Sequence, residues 1–346
     1  MSKPELYPLR FQPIYKEKVW GGRTLERLGR DLPGDATTLI GESWEIADLA
    51  QTSASGGGGN PEHSVIVNGP LAGQRIDQVI RDYTSELMGS VAPSPEGGFP
   101  LLIKFLDARE NLSVQVHPSP EYASKHPDAH LKSEAWYILD CEPGAVIYKG
   151  VMEGVTPERF RQAIEDDAVR ELMIEIPVKP GDCHYLPSGT CHALGQGVLV
   201  AEVQTPSDTT FRVYDWGRTG RELHLDQAIE CIHFGPAETS AFESKAPAIK
   251  PDQASTHRLV SCDYFGIDRV HAPDGFEDSI AETNPTIWMI LSGSGRFEVP
   301  GQEAYAFAAG QTWLVPPDLG DGWAMVEHEA TWLEVTFGKT EPIRMA

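Results

Sequence analysis

The run Leu112-Ser113-Val114-Gln115-Val116-His117-Pro118 alternates apolar side chains with side chains that carry lone pairs. In an extended strand residues two apart share a face, so Ser113, Gln115 and His117 point one way and the valines the other. Three polar groups on one face suit either an edge strand wetted by solvent or the inside of a barrel built to hold something. Two further segments favour the second reading. Glu134 opens residues 134–139 (EAWYIL), on one face with Lys132, Trp136 and Ile138, and His192 follows the turn PSGTC, from which it can reach back into a barrel mouth. Gln115, His117, Glu134 and His192 together offer an amide oxygen, two imidazoles and a carboxylate. That donor set suits a divalent metal, Zn²⁺ foremost, with Mn²⁺, Fe²⁺ and Co²⁺ open. A site with one anionic ligand keeps net positive charge, and so attracts and polarises an anionic, oxygen-rich molecule.

The elements that must position these residues read as β. Residues 99–105, 112–116, 134–139, 145–148, 198–204 and 210–214 are short, β-branched or aromatic, and separated by Gly, Pro, Asp and Asn. One helical segment stands out at 156–175, where Thr156 can cap, Pro157 suits the first turn, and Phe160, Ile164, Val169, Leu172 and Met173 mark an apolar side. It reads as one or two short helices inserted between strands. Residues 54–64 (ASGGGGNPEHS) lack periodicity and bulk and read as a mobile surface loop. The layout also repeats. EAWYILDCEPGAVIY followed by VKPGDCHYLPSGTCHAL is echoed by TIWMILSGSGRFEV followed by FAAGQTWLVPPDLGDGW, pairing Trp136 with Trp288, Gly181 with Gly310 and Pro187 with Pro316. Strand, turn, strand, glycine turn and proline-rich loop is how a small jelly roll of the cupin kind reads. The expectation is a mainly β chain of two cupin-like barrels: residues 1–235 with the metal site and the helical insert at about 155–175, and residues 236–346 as a second barrel. The second copy has Thr286 in place of Glu134 and Asp321 in place of His192, so it lacks the ligands.

Composition narrows the partners. In 346 residues, 28 basic side chains stand against 51 acidic ones, a formal charge of −23 that argues against nucleic acid and anionic membrane surfaces. No stretch approaches the roughly 20 apolar residues of a membrane span, and the first residues lack the apolar core of a signal peptide, so a cytoplasmic protein, monomer or homodimer, is expected. Cys141, Cys183, Cys191, Cys231 and Cys262 form no CxxC pair and read as buried apolar filler, although Cys183 and Cys191 adjoin His184 and His192. His126 and His130 are four apart, but Pro127 disfavours a helix through them, and the acidic run 165–167 reads as a solvated helix face or break.

Several runs resemble type I mannose-6-phosphate isomerases, in particular the shorter bacterial ones: VWGG (19–22), GESWEIAD (41–48), FPLLIKFLDARENLSVQVHP (99–118), LKSEAWYIL (131–139), VKPGDCHYLPSGTCHAL (178–194) and QTPSDTTFRVYDWGR (204–218). They run in order over about residues 10 to 220, with a weaker match beyond. The resemblance implies one zinc per chain on Gln115, His117, Glu134 and His192, an active-site arginine at Arg212, and a second basic position at Arg218. It also implies that Ser113 and Lys132 line a sugar-phosphate pocket. The large helical insertion of the longer members is missing. The implied reaction interconverts mannose 6-phosphate and fructose 6-phosphate through an enediolate, with Arg212 and Lys132 acting on the reacting atoms. Lys132 and Arg218 would meet the phosphate. Lys104 is a weaker candidate, equally readable as a snorkelling strand-end lysine. The proton-transfer base stays open among a hydroxide at the metal, Glu134, Lys132 and His184. The competing readings are a cupin dioxygenase using iron and a non-catalytic sugar-binding module.

Overall fold

A computed structural model describes residues 5–53 and 58–338. The chain is mainly β and its neighbours in fold are cupin-like. Two antiparallel sheets face each other in the first barrel. One runs in the order Cys183–Leu186, Glu134–Cys141, Val198–Gln204, Leu102–Ala108, Ile40–Ile46, Ile14–Gly22. The other runs Met173–Pro177, Val146–Val151, His192–Leu194, Val114–Val116, Phe211–Tyr214. Trp20, Leu106, Trp136 and Ile138 from the first sheet meet Ile147 and Leu194 from the second in one apolar cluster, which closes the barrel.

The strand Val198–Gln204 shows why the central sheet reads as a continuous apolar run. All seven of its residues are buried. Val198 and Val200 face the barrel interior, whereas Leu199, Ala201 and Val203 pack against Leu259, Phe265, Ile267, Ile287 and Leu333 of a third sheet. Buried on both faces, such a strand has no polar side to alternate with. The third sheet has eight strands, built on the long strands Thr286–Glu298 and Trp323–Phe337, and it recruits the N-terminal strand Leu9–Arg10 as a partner of Thr312–Val315. Among the described residues no helix is long and apolar enough to cross a membrane.

The internal echo is a structural repeat. The N–H of Gly181 donates to the carbonyl of Ile138 at 2.9 Å, and that of Gly310 to Ile290 at 2.8 Å. Both glycines have positive φ, 92° and 80°, the left-handed turn that an L side chain resists. The interiors differ. Trp288 stacks on Trp332 at 4.5 Å, and Phe297, Phe307 and Trp313 fill the rest of the second barrel. Thr286 lies where Glu134 stands in the first copy, and Asp321 sits exposed in a loop.

The inserted helical segment resolves into a helix Pro157–Glu165, a 3₁₀ turn Val169–Leu172 and a strand Met173–Pro177. Thr156 caps it, its hydroxyl accepting from the Arg159 N–H at 3.3 Å, with Pro157 in the first turn. The acidic run that ends the helix is exposed. Helices Ile76–Asp82, Thr84–Met88, Pro120–Lys125 and Leu225–Cys231 were not legible in sequence, each being too short to show a helical period. Pro120–Lys125 stops at His126, just ahead of Pro127. Of the expected loop at 54–64, residues 54–57 lie outside the described residues, and Glu62–His63 pairs as a short strand with Asp48–Leu49. The VWGG and GESW runs meet backbone to backbone: a Cβ on Gly21 would stand 2.4 Å from the Gly41 nitrogen, so neither position has room for a side chain.

One carboxylate in the second barrel gives a stability prediction. Burial pushes Glu334 up from 4.5 to about 7, against a hydrogen bond from Trp332 and with help from the charges of Asp268, Asp278 and Glu282. A raised carboxylate stabilises fully below its unfolded value, and the contribution is lost as pH rises through 7. Glu334→Gln is therefore expected to gain about 2 kcal/mol on the wild type between pH 5 and pH 8, discounted for partial exposure. Urea unfolding at the two pH values measures it, and parallel pH dependences would refute it.

Candidate metal centre and active-site cleft

Three of the four expected ligands converge at the floor of the first barrel. His117 Nε2 lies 3.3 Å from Glu134 Oε2, and His192 Nε2 lies 3.2 Å from Glu134 Oε1. All three residues are buried to within 1%. Their strands place them there: His192 pairs directly with Gln115 across the second sheet, and Glu134 opens the strand whose first residue pairs with Leu186 and Gln204. Gln115 completes the group, its side-chain nitrogen 3.4 Å from His192 Nε2. An amide's nitrogen and oxygen exchange places by a half-turn, so Gln115 can present its oxygen to the same point.

The donor atoms are arranged as only a cation, or a proton, would tolerate. His117 Nδ1 contacts the Thr209 carbonyl at 3.0 Å and His192 Nδ1 the Thr190 carbonyl at 2.8 Å. A carbonyl can only accept, so each Nδ1 carries the hydrogen and each Nε2 turns a lone pair toward the carboxylate. Burial, followed by the charge of Lys132, pushes His117 down to about 3, so it does not hold a second proton at neutral pH. Burial alone would raise Glu134, but Lys132 and the imidazoles beside it hold it well below the usual carboxylate range. His117 Nε2 and Glu134 Oε1 are buried without a hydrogen-bond partner, and Oε2 has the Lys132 ammonium on one side only. Lone pairs facing lone pairs in a dry pocket fit a divalent metal held by His117, Glu134, His192 and Gln115. Among the described residues this is the one group of three or more His, Cys, Asp or Glu side chains close enough for such an ion. Cys183 and Cys191 are outside it, and burial pushes both thiols up, away from the thiolate a metal needs.

A cleft of about 230 Å³ reaches the cluster through Gln115 and Lys132, with His117, Glu134 and His192 behind its lining. Ser113, Gln115, Lys104, Lys132 and Arg212 line it. Lys132 Nζ stands 2.8 Å from Glu134 Oε2. Lys104 is no snorkelling strand end: it is buried in mid-strand, 3.3 Å from Glu202 and 3.5 Å from Glu42, and it lies over the Trp44 ring. Its charge is matched within the wall. Arg212 donates to the Glu222 carbonyl at 2.8 Å, and its Nε is buried without a partner. Arg218 turns away, bonding the Asn111 carbonyl at 2.7 Å and Asp215 at 2.8 Å, and the arginine that lines the cleft from this turn is Arg221. His184 is also outside the lining, near Lys149 and Glu243; burial and then the charge of Lys149 push it down to about 4, against the charge of Glu243. His126 stacks on Tyr122, and His130 faces Glu96; neither joins the cluster.

Sequence reasoning missed Glu42, Trp44, Glu202 and Arg221. Glu202 accepts from the Trp136 indole at 2.8 Å on Oε2, faces the Lys104 ammonium with Oε1, and is pushed up by burial and by the charge of Glu134. Its signal was present, since an acid inside the apolar run VLVAEVQ must face something polar.

Residues 8–148 match the family model of the phosphomannose isomerase type I catalytic domain. The mannose-6-phosphate isomerase ManA of Bacillus subtilis (strain 168) is 36% identical over 332 residues, covering 91% of this chain and 94% of its own length. The crystal structure of the mannose 6-phosphate isomerase from Bacillus subtilis superposes with a TM-score of 0.78 at 28% identity, over 96% of this chain and 100% of that one. A mannose 6-phosphate isomerase in its zinc-bound form shares the fold, with a TM-score of 0.72 at 16% identity, over 97% of this chain and 100% of that one.

Proposed function

From the premise that the chain belongs to the type I phosphomannose isomerase family, we propose that it is a metal-dependent aldose-ketose isomerase interconverting mannose 6-phosphate and fructose 6-phosphate through an enediolate. The observation that carries this reading is the buried His117, Glu134 and His192 group behind a cleft lined by Gln115, Lys132, Arg212 and Arg221. We take zinc as the metal, on the donor set and on the zinc-bound relative in fold. His117, Glu134, His192 and Gln115 would hold it, and when bound it supplies Lewis-acid polarisation of the sugar's carbonyl and neighbouring hydroxyl oxygens. In this reading residues up to 235 carry the chemistry, and the filled barrel that follows is structural.

The chain's own residues supply the rest. Isomerisation removes a proton from the carbon beside a carbonyl and returns one to its neighbour. Negative charge grows on two adjacent oxygens, and the permanently cationic Arg212, with an uncommitted Nε, is the group to stabilise it. Ser113 orients a hydroxyl at the cleft wall. Of the titratable groups that line the cleft, Lys132 and Glu202 are our choices to exchange the proton; Glu134 is committed to the ligand set, and His184 is outside the lining.

The deciding experiment is a coupled assay of mannose 6-phosphate conversion before and after chelation, with metal content read on the same sample. Activity should vanish with chelator and return with zinc. Folded, metal-loaded protein that is inert on hexose phosphates would sink the reading.

A further inference from the structure

The cations of the cleft are unevenly matched. Lys104 is held between Glu42 and Glu202, and Lys132 against Glu134. Arg212 makes no ion pair among the described residues; burial and then the charge of Arg221 push its guanidinium down, with Asp215 acting the other way. Arg221 and Arg218 share Asp215. The Asp215 carboxylate accepts from Arg221 Nε at 2.7 Å on Oδ2, from Arg221 Nη2 on Oδ1, and from Arg218 Nη2 at 2.8 Å on Oδ1. Two guanidiniums therefore lean on one buried carboxylate, with only the half-exposed Glu110 added beside Arg218 at 3.5 Å.

Asp215 is itself fixed from behind. Trp216 has φ of 54°, the left-handed region that a bulky residue avoids, and the Arg218 N–H closes the turn onto the Asp215 carbonyl at 3.0 Å. The Trp216 indole donates to the Leu112 carbonyl at 2.5 Å, and its ring packs against Tyr148 and Tyr214. Leu112 borders Ser113, so the turn is tied to the wall that it faces. Backbone strain of this kind is retained where the surroundings over-determine it.

We propose that Asp215 is a positioning residue that aims Arg221 into the cleft, where its guanidinium is the receptor for the dianionic end of the substrate, with Arg218 bracing Asp215 from outside. A bidentate carboxylate is the partner that fixes a guanidinium's plane, and a guanidinium so fixed is preorganised for a phosphate. The inference rests on the sugar-phosphate reading above.

The test uses the full chain and inorganic phosphate as a probe beside the substrate. Arg221→Gln and Asp215→Asn should each raise KM for mannose 6-phosphate at least tenfold and weaken phosphate inhibition in parallel, with metal content unchanged and the larger share of the loss in KM rather than kcat. Because Asp215 acts through Arg221, the double variant should be no worse than Arg221→Gln alone. Unchanged KM and unchanged phosphate inhibition in Arg221→Gln, or additive losses in the double variant, would overturn the proposal. Should Asp215→Asn fail to fold, Arg221→Gln decides alone, since its side chain is partly exposed. A wild type inert on hexose phosphates would refute the sugar-phosphate reading, whereas calorimetric phosphate binding, equal or unequal in wild type and Arg221→Gln, still decides on the anion receptor.

Discussion

His117→Ala is expected to fold, to emerge from purification without its metal, and to lose isomerase activity by about 10³-fold or more. The magnitude follows from the several kcal/mol that a polarising cation contributes to a transition state of growing negative charge. The substitution removes one of two imidazole donors from a cluster buried to within 1%. The fold should survive, because His117 lies just beyond the strand Val114–Val116 and the apolar contacts of that strand belong to its valines. Metal content by mass spectrometry, circular dichroism and kcat/KM on one preparation make the measurement. A variant that keeps its metal, or loses it and stays active, removes the cluster from the mechanism.

Arg212→Met is expected to do something different. It should keep the metal and the fold, and lower kcat by roughly 10² to 10³, the usual loss when one preorganised donor to a developing oxyanion is removed. Arg212 pairs across the sheet with Gln115, so its guanidinium enters the cleft from the same wall as the metal ligands without being one of them. The buried Nε without a partner is the specific reason to expect a large effect. An unsatisfied donor costs folding energy, and methionine removes that cost, so the variant should be no less stable. Full activity in the metal-loaded variant would assign the charge stabilisation to another group. The contrast between the two variants, one losing metal and one retaining it, separates ligand from electrostatic partner.

How much of this was legible in sequence depends on whether a residue's direction is set locally. Gln115 and His117 were legible because strand alternation fixes their side from two neighbours, and Glu134 because it opens a strand with Trp136 and Ile138 on its face. Arg218 and Arg221 are three apart in a turn, where no period decides which one faces the cleft; Asp215 and the left-handed Trp216 decide it, and neither announces its conformation. Glu42 and Trp44 join the site only because their strand pairs with Leu102–Ala108, a register set across about sixty residues of sequence. The barrel repeat was legible because its glycine turns and tryptophans recur in order, whereas the short helices had too few residues to carry a pattern.

The repeat with unlike interiors also divides the molecule optically. Of eight tryptophans, Trp288, Trp313 and Trp332 are locked in the dry aromatic filling of the second barrel. Trp20 and Trp44 stand on the cleft wall, and the Trp136 indole meets the His192 ring edge-on at 5.3 Å. Light emitted by the first group is blind to what enters the cleft, while the second group sits against the metal ligands and the substrate space. One unlabelled chain thus carries both a reporter of occupancy and its own internal standard.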